Sequence, residues 1–239
     1  MDARHHAGHV QALPKGIEVS EPKPTTGGTQ GPDKDLLTAT GIIAILGSIL
    51  MVLGNIVGSI VVPNHDWVAD TVSDLAAGRY EIIQDVALYG YAAAVMACAV
   101  GAAHLHQDGT RWNLGIGCLA LLVMCIIIIG ARNEYGDQDN EGVVIHIYVV
   151  YVIGFLFAAL FLLMGRGMAM VARRYALISY VCAALWIFGA PIFFFMPTGY
   201  DGAYERGLGV ITVVWVVSFS WMLISVGREK SHATSTRQE

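Results

Sequence analysis

The sequence predicts an all-α integral membrane protein, a polytopic bundle of six transmembrane helices with a short amphipathic helix in its first outer loop. Three observations predict it. Hydrophobic residues make up 55% of the chain and charged residues 14%, against about 45–50% and about 25% in ordinary globular domains. Six apolar runs reach the roughly 20 residues that a helix needs to cross a hydrocarbon core about 30 Å thick. The polar connections between those runs alternate in the sign of their charge.

The runs are Leu36–Val62, Ile82–Ala103, Leu114–Ala131, Val143–Met170, Tyr175–Met196 and Gly207–Val226. Residues 1–35 precede them as a tail rich in Pro, Gly, Thr, Lys and Asp. It buries too little to offset the entropy of ordering and is expected to be disordered and cytoplasmic. Residues 36–226 form the membrane domain, and residues 227–239 a cytoplasmic C-terminal tail. Cys98, Cys118, Cys125 and Cys182 all fall inside apolar runs without metal-site spacing, so they read as small buried hydrophobes.

Charge gives the orientation. Of 14 Lys and Arg, only Arg79, Arg132 and Arg206 fall in the odd connections, and the positive-inside rule then places both termini in the cytoplasm. The expected location is the inner (plasma) membrane. The acids divide the other way: Asp66, Asp70, Asp74, Glu81, Asp85, Glu134, Asp137, Asp139, Glu141, Asp201 and Glu205 gather on the outer side. Acids contribute little to topology, so their clustering is a separate signal. The centres of the first, third, fifth and sixth runs hold no ionisable group. That argues against ion-coupled transport, which places such groups near the midplane, and leaves a passive transporter or channel open.

Within the runs, Gly54 and Gly58 form a G-x-x-x-G pair that permits close helix approach. Pro63 ends the first run, and Pro191 interrupts backbone bonding in the fifth. Asp85 lies about one turn inside the second run, with Glu81 four residues before it and Tyr89 continuing the stripe. His146 opens the fourth run at a similar depth. The connection from Asn64 to Gly78 predicts an amphipathic helix, with Asn64 or Asp66 as N-cap and Gly78 closing it. Trp67, Val68, Thr71, Val72 and Leu75 share one face and Asp66, Asp70 and Asp74 another.

Val72 to Gly78 (V-S-D-L-A-A-G) after the first run, His146 opening the fourth and Glu205–Arg206 before the sixth resemble the domain-of-unknown-function 998 family of prokaryotic six-helix membrane proteins. The resemblance covers roughly Leu36 to Val226. More distantly, the S-D-L loop is similar to six-span proteins of the autophagy-modulator type. The resemblance implies fold and topology and marks Ser73, Asp74, His146, Glu205 and Arg206 as family-like positions. It implies no activity.

The function classes are then three. The first is a non-catalytic membrane protein whose outward pocket recognises a lipid head group or a cation. Ser73, Asp74, Asp85, His146 and Glu205 would make the contacts, with Arg79, Arg132 and Arg206 as structural anchors. Carboxylates with aromatic rings suit Ca²⁺ through oxygen ligands or a choline-type group through cation–π contact. The second is a lipid hydrolase, either serine-dependent through Ser73, His146 and Asp85, or metal-dependent. Two histidines, His65 and His146, with Asp66 could hold Zn²⁺, but the spacing of no metal motif supports it, and Ser73 lacks a nucleophile-elbow sequence. The third is a passive transporter or channel. No cofactor and no nucleic-acid partner are expected. The partner expected throughout is the lipid bilayer.

Overall fold

The computed structural model describes residues 33–76, 78–105, 107, 109–131 and 145–235, with side chains to 228. The tail histidines, Arg132 and the acids of the third connection lie outside them. Six long helices are each long and apolar enough to cross a membrane: α1 (Lys34–Val61), α3 (Glu81–His104), α4 (Thr110–Ala131), α5 (His146–Val171), α6 (Arg173–Phe193) and α7 (Asp201–Ser235), with a short α2 (Val72–Leu75) and a 3₁₀ turn (Gly78–Tyr80) in the first connection. No strand occurs among the described residues. The end of the bundle bearing the first and fifth connections is called the acidic end below.

Small residues bring α1 and α3 together. A Cβ on Gly47 would strike the Gly90 carbonyl oxygen and lie 2.8 Å from the Ala94 Cβ, and one on Gly54 would strike the Ala87 Cβ. Without those side chains the two backbones approach closely enough for dispersion contacts to hold them. Gly58, the second member of the anticipated pair, faces Leu75 of α2 instead, where an added Cβ would come into ordinary contact with the leucine side chain at 3.4 Å.

α5 and α6 are separated by Ala172 alone, whose extended backbone (φ −159°, ψ 141°) breaks the helix and reverses the chain. α7 starts earlier and ends later than its apolar run, because Asp201 to Arg206 and the residues after Val226 keep helical geometry. Glu205 and Arg206 therefore sit on the first turns of a membrane helix.

Aromatic rings fill the centre. Trp215 stacks on Phe219 at 5.1 Å and 9°, Phe161 lies 5.5 Å from Trp215, and Trp112 adds a tilted contact at 6.1 Å. The indole N–H groups are satisfied: Trp215 donates to Ser179 Oγ (2.9 Å), which donates to the Phe161 carbonyl (2.7 Å), and Trp112 donates to the Ala102 carbonyl (3.0 Å). In a membrane no water is available to satisfy such groups, so the bundle supplies partners itself.

Candidate functional site

The first connection does not fold as one amphipathic helix. α1 ends at Val61, and Pro63 and Asn64 turn the chain, Asn64 in the left-handed region at φ 61°, which asparagine tolerates better than most residues. Asp66 then accepts from the backbone N–H of Val68 at 2.8 Å, tying a separate turn. The helix starts at Thr71: its hydroxyl caps the Asp74 N–H while the Asp74 carboxylate accepts from the Thr71 N–H at 2.7 Å, a reciprocal capping box. Three aspartates at four-residue spacing would repel along one continuous helix. Here they are divided between two turns, and each accepts from a backbone N–H: Asp66 from Val68, Asp70 from Asp66 and Asp74 from Thr71.

Arg206 holds this connection against the bundle. It is 9% exposed. Nε donates to Asn55 Oδ1 (3.1 Å), Nη1 to the carbonyls of Trp67 (3.1 Å) and Asp70 (2.7 Å), and Nη2 to Ser59 Oγ (3.5 Å) and to His65 Nε2 (2.9 Å). The guanidinium also lies 4.4 Å from the Trp67 ring centroid, a cation–π contact. These contacts use every donor of the group. Arg206 thus ties α7 to α1 and to the loop, through carbonyls, an amide, a hydroxyl and an imidazole. Gly202 lets the loop sit there, because a Cβ on it would strike the Asp70 carbonyl, and the neighbouring Ala203 N–H donates to the Val68 carbonyl at 2.9 Å.

The arrangement fixes the tautomer of His65. Arginine can only donate, so Nε2 is the acceptor and the proton sits on Nδ1, 3.5 Å from Asp70 Oδ2. Burial, and then the positive charge of Arg206, lower the His65 pKa below its ordinary 6.5, against the opposing pull of Asp70, Asp74 and Asp66. An imidazole nitrogen already bound to a guanidinium is not available to Zn²⁺. Among the described residues no group of three His, Cys, Asp or Glu could hold a metal ion, so His65, Asp66 and His146 do not form one ligand set.

Beneath the loop lies a cavity of about 1040 Å³, in the half of the bundle nearest the acidic end. Its wall is mostly apolar, with Leu88, Ile126, Phe157 and Leu208 among the lining residues. Ser73, His146, Glu205 and Arg206 gather at its loop end, and Tyr91 and Thr212 lie deeper along the wall. Ser73 Oγ lies 3.3 Å from His146 Nε2, and Glu205 accepts from the Val72 N–H at 2.7 Å. The structure thus brings Ser73, His146, Glu205 and Arg206 to one wall. It does not bring Asp74 there, whose carboxylate is engaged in the capping box, nor Asp85, which lies on α3 off the lining. Arg79 is exposed and stacks over Tyr80 at 5.7 Å.

A family model described as a protein of unknown function (DUF998) matches residues 45–222. The chain belongs to the DUF998 family. No curated protein and no solved structure matches it. The matched stretch contains the whole of this DUF998 cavity wall, from Met51 to Val213.

Two lining residues of the DUF998 chain were missed by sequence reasoning. Gln84 is 0% exposed and Tyr91 5%. They lie seven residues apart, two turns along one face of α3. A polar residue inside an apolar run was the available signal. The acidic neighbours Glu81 and Asp85 point to the adjacent stripe, and from there to Tyr89, whose ring would lie 3.2 Å from a Cβ on Gly130 and which is 42% exposed.

Proposed function

We propose that the protein binds a lipid without catalysis, the chains in the apolar cavity and the head group at the Ser73–His146–Glu205 wall. One observation carries the reading: a cavity of about 1040 Å³ within a membrane-spanning bundle, apolar over most of its wall and polar at one end. Binding sites of drug-sized or larger ligands share this pattern of apolar lining with few placed polar groups. Several lining residues, Phe155 and Val210 among them, are 74% and 59% exposed on the bundle surface, which supports lateral access from the bilayer. In this reading the protein lies in the plasma membrane with both termini cytoplasmic and the acidic end outward.

The test is lipid-induced thermal stabilisation of delipidated protein. His146→Ala with Ser73→Ala should remove most of the stabilisation, whereas Asp85→Asn, off the lining, should retain it. Equal stabilisation in all variants would overturn the assignment of the head-group wall.

A second reading is favoured by the Ser73–His146 distance of 3.3 Å. That pair has the geometry of a nucleophile and its base, and an ester held in the cavity would meet it. Covalent labelling of Ser73 by a fluorophosphonate, lost in His146→Ala, would establish it.

A further inference from the structure

Gln84 lines the cavity with its amide oxygen and nitrogen both buried and neither hydrogen-bonded, and Tyr91, two turns along the same wall, has its hydroxyl beside the Thr212 side chain. Away from the cavity, Trp215, Trp112 and Ser179 each find a partner at 3.0 Å or less. In hydrocarbon an unmet amide is expensive, and a group left so calls for a partner from outside the chain.

Resting on the lipid-binding reading above, we infer that Gln84, with Tyr91, forms a subsite for the linkage region of the lipid, and that it selects lipids whose linkage carries an amide or hydroxyl over those linked only by esters. The side chain dictates the selection. Gln84 presents two N–H donors and one carbonyl acceptor, and Tyr91 a hydroxyl that does both. An ester carbonyl can only accept, so an ester-linked lipid answers Nε2 and leaves Oε1 unmet. An amide or hydroxyl linkage answers both. The depth agrees: Gln84 lies about one turn below the start of α3, beneath the Ser73–His146–Glu205 wall, and amide and hydroxyl groups of such lipids lie directly beneath the head group.

The experiment compares two lipids with the same phosphocholine head, sphingomyelin (amide and hydroxyl linkage) and phosphatidylcholine (ester linkage), titrated against the delipidated full chain by native mass spectrometry. Wild type should bind sphingomyelin about tenfold more tightly, the factor set by about 1.4 kcal/mol for the additional hydrogen bonding. Gln84→Leu should bind the two alike while melting no lower than wild type in the absence of lipid, since it removes an unmet amide. Tyr91→Phe should reduce the preference and serves if Gln84→Leu does not fold. Equal affinities in wild type, or a preference that survives in both variants, would overturn the subsite and leave the cavity reading standing. Failure of both lipids to bind wild type would overturn the cavity reading itself.

Discussion

The aromatic core and the cavity wall treat their buried polar groups differently. In the core, the Trp215–Ser179–Phe161 chain closes on a backbone carbonyl, and Ser48 and Ser220 bond back to carbonyls four residues earlier at 2.8 and 2.6 Å. On the cavity wall, Gln84 is fully buried with its amide oxygen and nitrogen both unmet. Single unmet atoms also occur off the wall, at Asp85, Gln107 and Ser218, so the contrast rests on Gln84, where donor and acceptor are both unmet. The core is a finished scaffold, and the wall is complementary to something outside the chain.

Breaking the anchor that holds the first connection on the bundle should have the largest effect. Arg206→Ala strands two backbone carbonyls, an amide and an imidazole under the loop, and should cost about 3 kcal/mol or more, at about 1–3 kcal/mol for each acceptor left unmet. Thermal melts of the purified protein check this, and Arg206→Lys should recover little, because one ammonium cannot span those directions. Gly47→Leu comes next. Its side chain would be driven into Gly90 and Ala94, and overpacking of this kind costs about 1–3 kcal/mol.

The acidity of the loop end gives a smaller effect. His65 has its pKa lowered in the folded state, so the unfolded chain binds the proton more readily. Stability from this group is complete above about pH 6.5 and is lost as pH falls through the lower folded value. Melts between pH 7.5 and 5 should show a decline that His65→Gln flattens.

The six spans were legible because apolar length is read directly from sequence, and the charge alternation separated the acidic end from the other. Ser73 was legible through the V-S-D-L-A-A-G stretch of the first connection, and His146 and Glu205 as polar residues at the starts of runs. Partnering was not. Nothing local in the sequence says that Arg206 would choose carbonyls and His65 over the carboxylates around it, since that choice depends on where the loop docks on α7. Thr71 as the cap, in place of Asn64 or Asp66, likewise depends on the Pro63–Asn64 turn consuming the first residues of the connection. Gln84 was hidden by its own neighbours, because Glu81 and Asp85 offer stronger chemistry on an adjacent face.

The cavity can be closed without disturbing the scaffold. Gly154 of α5 and Gly209 of α7 both line it, and a Cβ on either would meet nothing within 4 Å. Replacing a helical glycine also favours the helix by up to about 1 kcal/mol. The most direct test of the central claim is therefore lipid-induced thermal stabilisation of Gly154→Phe/Gly209→Leu beside wild type. The account predicts a lipid-free melting temperature at or above that of wild type, with the lipid-induced increase abolished. A double variant that folds and is stabilised by lipid as much as wild type would contradict it.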